Sequence, residues 1–466
     1  MVRDAWCVTG RVAERIGSAL EPLRLGFAAI ARSTFDTVLA AEVTAQMRRS
    51  LAAAGCELVG PADLVMDAAA VQSAADMLAG QPLDLLLLFQ ASFADSSAAV
   101  SLAQAVDAPI LLWAAPEERT GGRLRLNSFC GINLAGHALK RAGIRYDYVY
   151  AQPSDGSGLK KLLTRARAGR VVRLLKIARI GRVGQNPTGF EPCTFDGEAL
   201  GRICGSQVMP LELTAVFDQA RAAPPAAVAQ VLGELQGRVA GLDALDQPAL
   251  RGTLGAYLTL RDLARRDGLH GLAVRCWPEF FTELGCAACG ALSLLMEEGV
   301  PCSCESDVNG TLTQYMLQEL SGSQAFGADV VSFDVAADTA VVWHCGQAPL
   351  AMADPASQPR GTIHSNRKLP LLMEFPLKPG RVTLGRLTQA GDGAYRLVIG
   401  GGEMLRAPMS FTGTSGVLRF DRPSQEVLDT IMREGLDHHI SLTYGDCVPE
   451  LLALAEMLEL PALRLA

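Results

Sequence analysis

Residues 271–313 read GLAVRCWPEFFTELGCAACGALSLLMEEGVPCSCESDVNGTLT, and the fold turns on how this stretch is parsed. Leu272-Ala273-Val274 is a short apolar run of the kind that fills a buried strand. Pro278 suits the first turn of a helix, where its missing N–H costs nothing. That helix is expected to run to Glu298, with Gly299 and Pro301 as its stop. A second strand follows from Val300 to Cys304 and ends in Glu305-Ser306-Asp307. Asn309-Gly310 is a turn signal, and Thr311 opens the next helix. The unit is strand–helix–strand, with carboxylates at two corners. Glu279 and Glu283 are four apart on one helical face, and Cys286 and Gly290 continue that face with small side chains. Asp307 stands where a parallel strand would end, the usual place for a ligand in α/β sheets. Each acid also has a plainer reading. First-turn glutamates complement the helix dipole, and an Asp after a strand is often a helix cap. Several acids together among apolar residues point to a site.

The whole chain sets the frame for that unit. At 466 residues, two or three domains are expected. Hydrophobic residues make up 49% and charged ones only 20%, which excludes a disordered chain. The formal net charge of −7 argues against nucleic acid as a partner, because phosphate binding needs a basic footprint. The start of the chain reads as polar and helix-like, not as a signal peptide. The most apolar run, Leu85 to Phe89, is too short to span a bilayer, so no membrane partner is expected. Twelve cysteines scattered through apolar segments read as reduced thiols of a cytoplasmic protein.

Strand and helix alternate from residue 5 to residue 150, as in a doubly wound domain. Its first turn lacks a GxGxxG fingerprint, which argues against a dinucleotide. Gln152 to Gly158 reads as a linker, Leu159 to Ala168 as a basic helix, and Val171 to Ile180 as a strand region. Gly181 to Phe190 is a turn-rich loop of the sort that carries function when a rigid sheet holds it. From Cys345 the helical period vanishes. Short strands at Leu371–Phe375, Val382–Leu387, Tyr395–Gly400 and Val417–Phe420 read as an antiparallel barrel or sandwich. The expected fold is α/β: two doubly wound α/β domains, residues 1–151 and 159–345, then a small antiparallel β-barrel-like domain over 346–466. That last domain closes on a helix, the run His438 to Tyr444, and a final helix.

His438-His439 is the second landmark. Adjacent strand residues point to opposite faces, so one of the two is expected to enter a given site. His344 ends another apolar strand, and His364 lies in a polar loop. Two acids and one imidazole form a hard-to-borderline ligand set suited to manganese, magnesium or cobalt. Gln90, ending the apolar strand Leu85 to Phe89, and Asn309, beside Asp307, are further polar candidates. Arg123, Arg125, Arg182 and Arg367 sit in loops, and arginine suits sulfonate or phosphate; loop arginines are more often simply solvated.

The runs RCWPEFFTELGCAACGALSLL, CESDVNGTLT, VVWHC and HHISLTYGD, with NSFCGINLAGHALK at Asn127 to Lys140, resemble the L-fucose isomerase and L-arabinose isomerase superfamily. More narrowly they resemble its shorter fucose isomerase-like bacterial branch. The resemblance covers nearly the whole chain. It implies an aldose–ketose isomerase with a divalent metal, usually manganese, held by a helix acid, a strand-end acid and a late histidine. Those roles fall on Glu283, Asp307 and His439, with Glu283 and Asp307 also moving the proton. Glu279 remains the alternative to Glu283, and His438 to His439. His344, Glu279, His438, Gln90 and Asn309 are the expected substrate contacts. The resemblance further implies a homotrimer or homohexamer whose active sites lie between subunits. Loops at Gln90–Phe93 and Asn127–Asn133 are the candidates for closing a neighbour's site. Two other readings stand beside this one. One is a sugar-binding module or regulator without catalysis, built on the same crevice. The other is a thiolate site at Cys286, Cys289, Cys302 and Cys304, although this CxxC lies within helical sequence and no second one follows.

Overall fold

A computed structural model describes residues 21–466. The chain divides into two compact units, one from Glu21 to Leu174 and the other from Leu175 to Ala466. The expected fold class is found: two parallel-sheet α/β domains, then an antiparallel six-stranded barrel with extra strands. Among the described residues, no helix is long and apolar enough to cross a membrane.

The N-terminal unit carries five parallel strands, β1 (Arg24–Ile30), β2 (Glu57–Val59), β3 (Leu85–Gln90), β4 (Ile110–Ala114) and β5 (Tyr146–Tyr150). Their order is β2-β1-β3-β4-β5. Strands β3 and β4 are buried along their whole length, which is why they read as continuous apolar runs. Where the sequence suggests a linker at Gln152–Gly158 and a strand from Val171, the chain instead forms one helix, Gly156–Leu175. Its glycines are there for close approach and do not break it. A Cβ at Gly169 would lie 1.9 Å from the carbonyl oxygen of Asp84, and one at Gly158 would lie 2.9 Å from the Trp113 ring. The helix is also pinned electrostatically, since the buried Asp84 pairs with Arg170 at 3.0 Å and Arg173 at 2.7 Å.

The second unit holds two sheets. Strands β6 (Arg179–Val183), β7 (Gln207–Leu211), β8 (Gly271–Val274) and β9 (Cys302–Ser303) run parallel in the order β7-β6-β8-β9. The barrel begins at Ala325, ahead of Cys345, where the helical period fades from the sequence. Its ring joins β10 (Ala325–Asp334), β11 (Thr339–His344), β14 (Gly380–Gln389), β15 (Tyr395–Leu405), β16 (Thr414–Phe420) and β17 (His439–Tyr444). The sheet order runs β16-β11-β10-β17-β14-β15, and pairing of β15 with β16 closes it. Strands β12 (Arg360–Thr362), β13 (Leu372–Pro376) and β18 (Ala462–Arg464) extend the sheet beyond the ring. One core joins the two sheets, from Leu272 and Val274 through Leu292 and Leu295 to Leu384 and Leu442.

The helix expected from Pro278 to Glu298 is broken. Phe280–Leu284 forms a π-turn, Gly285 takes φ +76°, and regular helix resumes only over Cys289–Glu297. The backbone between them is drawn onto another segment. The amide of Ala287 donates to Pro370 O, and that of Gly290 to Leu371 O at 2.8 Å. The small residues serve this packing. A Cβ at Gly290 would meet Leu371 O at 2.8 Å, and Cys286 fills the space beside Gly252.

Candidate active site

The turn after β9 is the centre of the site. Glu305 and Ser306 are successive non-glycine residues with φ of 58° and 54°. Each such residue costs on the order of 1–3 kcal/mol and persists only where its surroundings over-determine it. Here the Ser306 hydroxyl donates to Val183 O at 3.0 Å and its amide to Val274 O at 3.1 Å. The Asn186 amide group donates to the carbonyls of Cys193, Glu305 and Ser306. The turn is thus fastened to the ends of β6 and β8 and to the loop after β6. That loop is the remainder of the turn-rich stretch, Gly184 to Phe190, whose first three residues, Gly181 to Val183, belong to β6 instead.

Asp307 caps the helix Val308–Ser321, with Oδ1 accepting from the Gly310 amide at 2.8 Å. Asn309 and Gly310 therefore lie in a helical first turn, not in a reverse turn. Gly310 is small because a Cβ there would sit 2.5 Å from Asp307 Oδ2. That oxygen accepts from Arg386 Nη1 at 2.6 Å and faces His439 Nδ1 at 2.9 Å. Arg386 comes from β14 and is fully enclosed; it also bonds Asp437 and Pro192 O. Burial alone would push the Asp307 carboxyl up, but Arg386 and His439 hold it far below the usual range. His439 is likewise buried, which favours its neutral form, and Asp307 overrides this so that its pKa lies above the ordinary value.

With Nδ1 committed to Asp307, His439 presents Nε2 to the interior. Glu305 Oε2 lies 3.7 Å from it and 3.4 Å from His438 Nε2. The other oxygen, Oε1, accepts from Trp277 Nε1 at 3.1 Å. Burial works against the Glu305 charge, but the two histidines and the indole keep the carboxyl ionised below its ordinary range. Cys193 Sγ stands 3.5 Å from Glu305 Oε2. Its thiol is driven far up by burial and by the neighbouring acids, so it stays protonated. Both adjacent histidines reach the site, with ring centroids 4.0 Å apart. Strand β17 starts only at His439, so the alternation of faces does not apply to His438. On the far side of His439, Cys304 Sγ is 3.6 Å from Nε2 and 3.2 Å from His344 Nε2. Burial, ahead of the neighbouring charges, lowers the His344 pKa to about 4.

Among the described residues, two groups place donor atoms within 4.8 Å of one another: Cys193, Glu305, His438 and His439, and Cys304, His344 and His439. Of the sequence-derived set, His439, His438 and His344 fall in these groups, and Asp307 touches one. Glu283 is exposed on the π-turn, with only its carbonyl engaged, by Arg221. Glu279 pairs with Arg275 at 2.7 Å, and Arg275 in turn holds the carbonyls of Gln185 and Asn186. Asn309 is spent on Thr194 O and Tyr395. Gln90 ends β3 in the N-terminal unit, where it is buried, its carbonyl accepts from the Ser128 hydroxyl, and its amide atoms have no partner among the described residues. The four-cysteine site is not assembled among the described residues; Cys304 joins two histidines instead, and Cys289 lies 3.1 Å from Cys345.

The sequence reading passed over Glu305, Cys193, Asn186 and Arg386. For Arg386 a signal exists: a lone arginine within the apolar strand VTLGRLTQ must meet a buried counter-ion. For Glu305 the signal is weaker, an acid two residues ahead of a capping Asp.

The comparisons with known proteins bear on this geometry. Residues 26–176 match the fucose/sulfoquinovose isomerase N-terminal domain, and residues 342–464 the L-fucose isomerase C-terminal domain. The chain is similar over nearly its full length to a protein named sulfoquinovose isomerase in Priestia megaterium. Identity is 31% over 434 residues, covering 92% of this chain and 96% of that one. The chain belongs to the fucose/sulfoquinovose isomerase family. Proteins of the same name in Alkalicoccus urumqiensis (30% identical, 94% of this chain and 98% of that one) and Clostridium sp. strain MSTE9 (31%, 89% and 93%) agree. It is accordingly an enzyme, a sugar aldose–ketose isomerase, as the resemblance implied, and the family membership displaces the reading as a binding module without chemistry. Both matched domains flank the stretch that builds the site, and β17 with its histidine lies inside the second.

Proposed function

We propose that this protein interconverts an anionic aldose, a sugar bearing a terminal sulfonate, with its 2-ketose, using a divalent metal ion. The substrate class rests on the names of its relatives. The metal rests on one observation, the convergence of Glu305 Oε2, His438 Nε2 and His439 Nε2 within 3.4–3.7 Å contacts around an ionised carboxylate. One carboxylate and two imidazoles fit a first-row divalent ion such as manganese, whereas sulfur is a soft ligand and suits manganese poorly. Glu305, His438 and His439 would hold the ion, in place of the set Glu283, Asp307 and His439. Asp307 becomes the carboxylate that fixes the His439 ring from behind.

When bound, such an ion would supply positive charge where negative charge develops in the reaction. Glu305 divides its labour. Oε2 faces the histidines, while Oε1 is the oxygen that takes the proton from C2 and returns it to C1. The O2 hydroxyl proton moves to O1 in the same conversion, so atoms balance without any external reductant. Trp277 and Phe190, whose rings meet edge-on at 5.2 Å, supply a wall for the sugar. A neighbouring crevice of about 510 Å³ also reaches His438 and His439. Apart from Ser332, Arg386 and Asp437 its other walls, among them Phe333, Ile431 and Leu436, are apolar, which favours approach of a polyol along the Trp277 side.

Turnover of sulfoquinovose in heavy water, with metal content measured on the same sample, tests this reading. Deuterium at C1 of the ketose and metal close to one per chain are expected. Complete retention of the C2 hydrogen would replace proton transfer by a hydride shift, and full activity in metal-free protein would remove the ion. We further propose a trimer or hexamer whose sites are completed by a neighbour's N-terminal unit. The family resemblance supports this, as does Gln90, whose amide atoms are buried without a partner among the described residues. A fully active monomer by light scattering would exclude it.

A further inference from the structure

Among the described residues four arginines stand around the donor cluster, and two of them are held by carboxylates. Arg386 is enclosed between Asp307 and Asp437. Arg275 pairs with Glu279. Arg182 is half-buried against the Phe195 ring and gives Nη2 to Asn186 Oδ1 at 2.7 Å. The fourth, Arg367, is exposed and forms no ion pair among the described residues. Its position is nevertheless fixed. The guanidinium carbon lies 4.9 Å over the Trp277 ring and 5.1 Å over Phe281.

The loop that presents it is built around His364. The ring of this buried histidine packs edge-on against Phe281 at 5.3 Å. Its Nδ1 accepts from the amides of Asn366 at 3.2 Å and Arg367 at 3.3 Å. The main chain closes the loop through His364 N to Leu369 O and Lys368 N to His364 O. With Nδ1 accepting, the ring proton sits on Nε2, which faces Arg367 Nη1 at 3.3 Å. Two donors therefore confront each other there, and among the described residues the guanidinium has no carboxylate or carbonyl acceptor. A cation stacked on two aromatic faces, with its donors open to solvent, is a preorganised fork for an oxyanion. Trp277 ties it to the chemistry, because the same indole that carries Arg367 donates to Glu305 Oε1.

We propose that Arg367 is the anchor for the substrate's terminal anion, a sulfonate, and that it sets the enzyme's preference for an anionic over a neutral sugar. This rests on the aldose–ketose isomerase reading above and places the sugar across the Trp277 face, with its carbonyl end at Glu305. An anchor distant from the reacting carbons binds ground state and transition state alike, so its loss appears in KM more than in kcat.

The test compares wild type, R367Q and R367K on sulfoquinovose, glucose 6-phosphate and glucose. Removing a charge-assisted bond should lower kcat/KM for the sulfonate by about 10- to 100-fold. The loss should fall mainly on KM, and the sulfonate-to-glucose ratio of kcat/KM should fall by a similar factor. R367K, which keeps the charge without the fork, should recover part of that ratio. A wild-type enzyme that isomerises the sulfonate while R367Q does so equally well overturns the anchor and leaves the function intact. Equal losses on sulfonate and glucose also overturn it, since they mark a structural role. A wild-type enzyme that prefers glucose to the sulfonate overturns the substrate class and the anchor together.

Discussion

Glu305 holds a left-handed backbone conformation that its own side chain does nothing to favour, and the bonds from Asn186 and Ser306 keep it there. Substituting Glu305→Gln should preserve this framework while removing the charge. We expect at least a 100-fold loss of kcat and loss of bound metal by elemental analysis. Glu283→Gln should stay within about threefold of wild type in kcat/KM, because that side chain is exposed and meets none of the donors. The opposite pattern would restore Glu283 as the ligand. Asp307→Asn keeps the shape but weakens the grip on His439 Nδ1. A 10- to 100-fold loss in metal affinity is expected, the range usual for partners behind a ligating histidine. An unchanged metal titration would show that Asp307 does not act through His439. The residues near Asp307 explain what could be seen in advance. Asp307 and His439 were visible because each sits at the end of an apolar run. Glu305 was not, because its exposure to the site depends on a φ of 58° that no local sequence preference announces.

At the scale of elements, the periodic segments were legible and the joints were not. Strand β3 and the helices at Ala68–Leu78 and Ser424–Glu434 follow their hydrophobic spacing. The π-turn at Phe280–Leu284 does not, since it exists to bring Ala287 and Gly290 onto a backbone eighty residues later. A long-range partner of that kind leaves no mark in an eighteen-residue window. The helix Gly156–Leu175 was obscured for a related reason, because its glycines answer to Asp84 and Trp113. Its dependence on Asp84 can be measured. Asp84→Ala strands Arg170 and Arg173 beside a buried gap and should cost about 3–5 kcal/mol, read as an earlier urea transition of the N-terminal unit. A loss below 1 kcal/mol would mean that helix packing alone holds the segment.

For the whole molecule, the order of parallel sheets and barrel was recoverable from the change of period along the chain. The place where the barrel begins was not. Residues 325–344 read as the end of the α/β region, yet β10 and β11 complete the ring through β17 and β16. This arrangement lets a parallel-sheet turn and a barrel strand contribute to one site: Glu305 and Asp307 from the first, His439 and Arg386 from the second. Ligand binding should therefore stabilise the second unit as a whole. Stripping divalent ions with a chelator and returning manganese at a hundredfold excess over its Kd should raise unfolding free energy by about 2.7 kcal/mol. Melting curves that coincide with and without metal would contradict the proposed centre.

The indole of Trp277 lies between two jobs, carrying a guanidinium on one face and donating from its edge to Glu305. The enzyme thereby contains its own optical reporter. Of the other described tryptophans, Trp113 is sealed in the N-terminal unit and Trp343 bonds Thr412 O, so neither shares this position. Emission from Trp277 should be quenched when paramagnetic manganese enters and should shift again when a sugar settles beside the ring. The Trp277→Phe variant subtracts that signal, and a wild-type spectrum indifferent to both ligands would separate the aromatic wall from the chemistry.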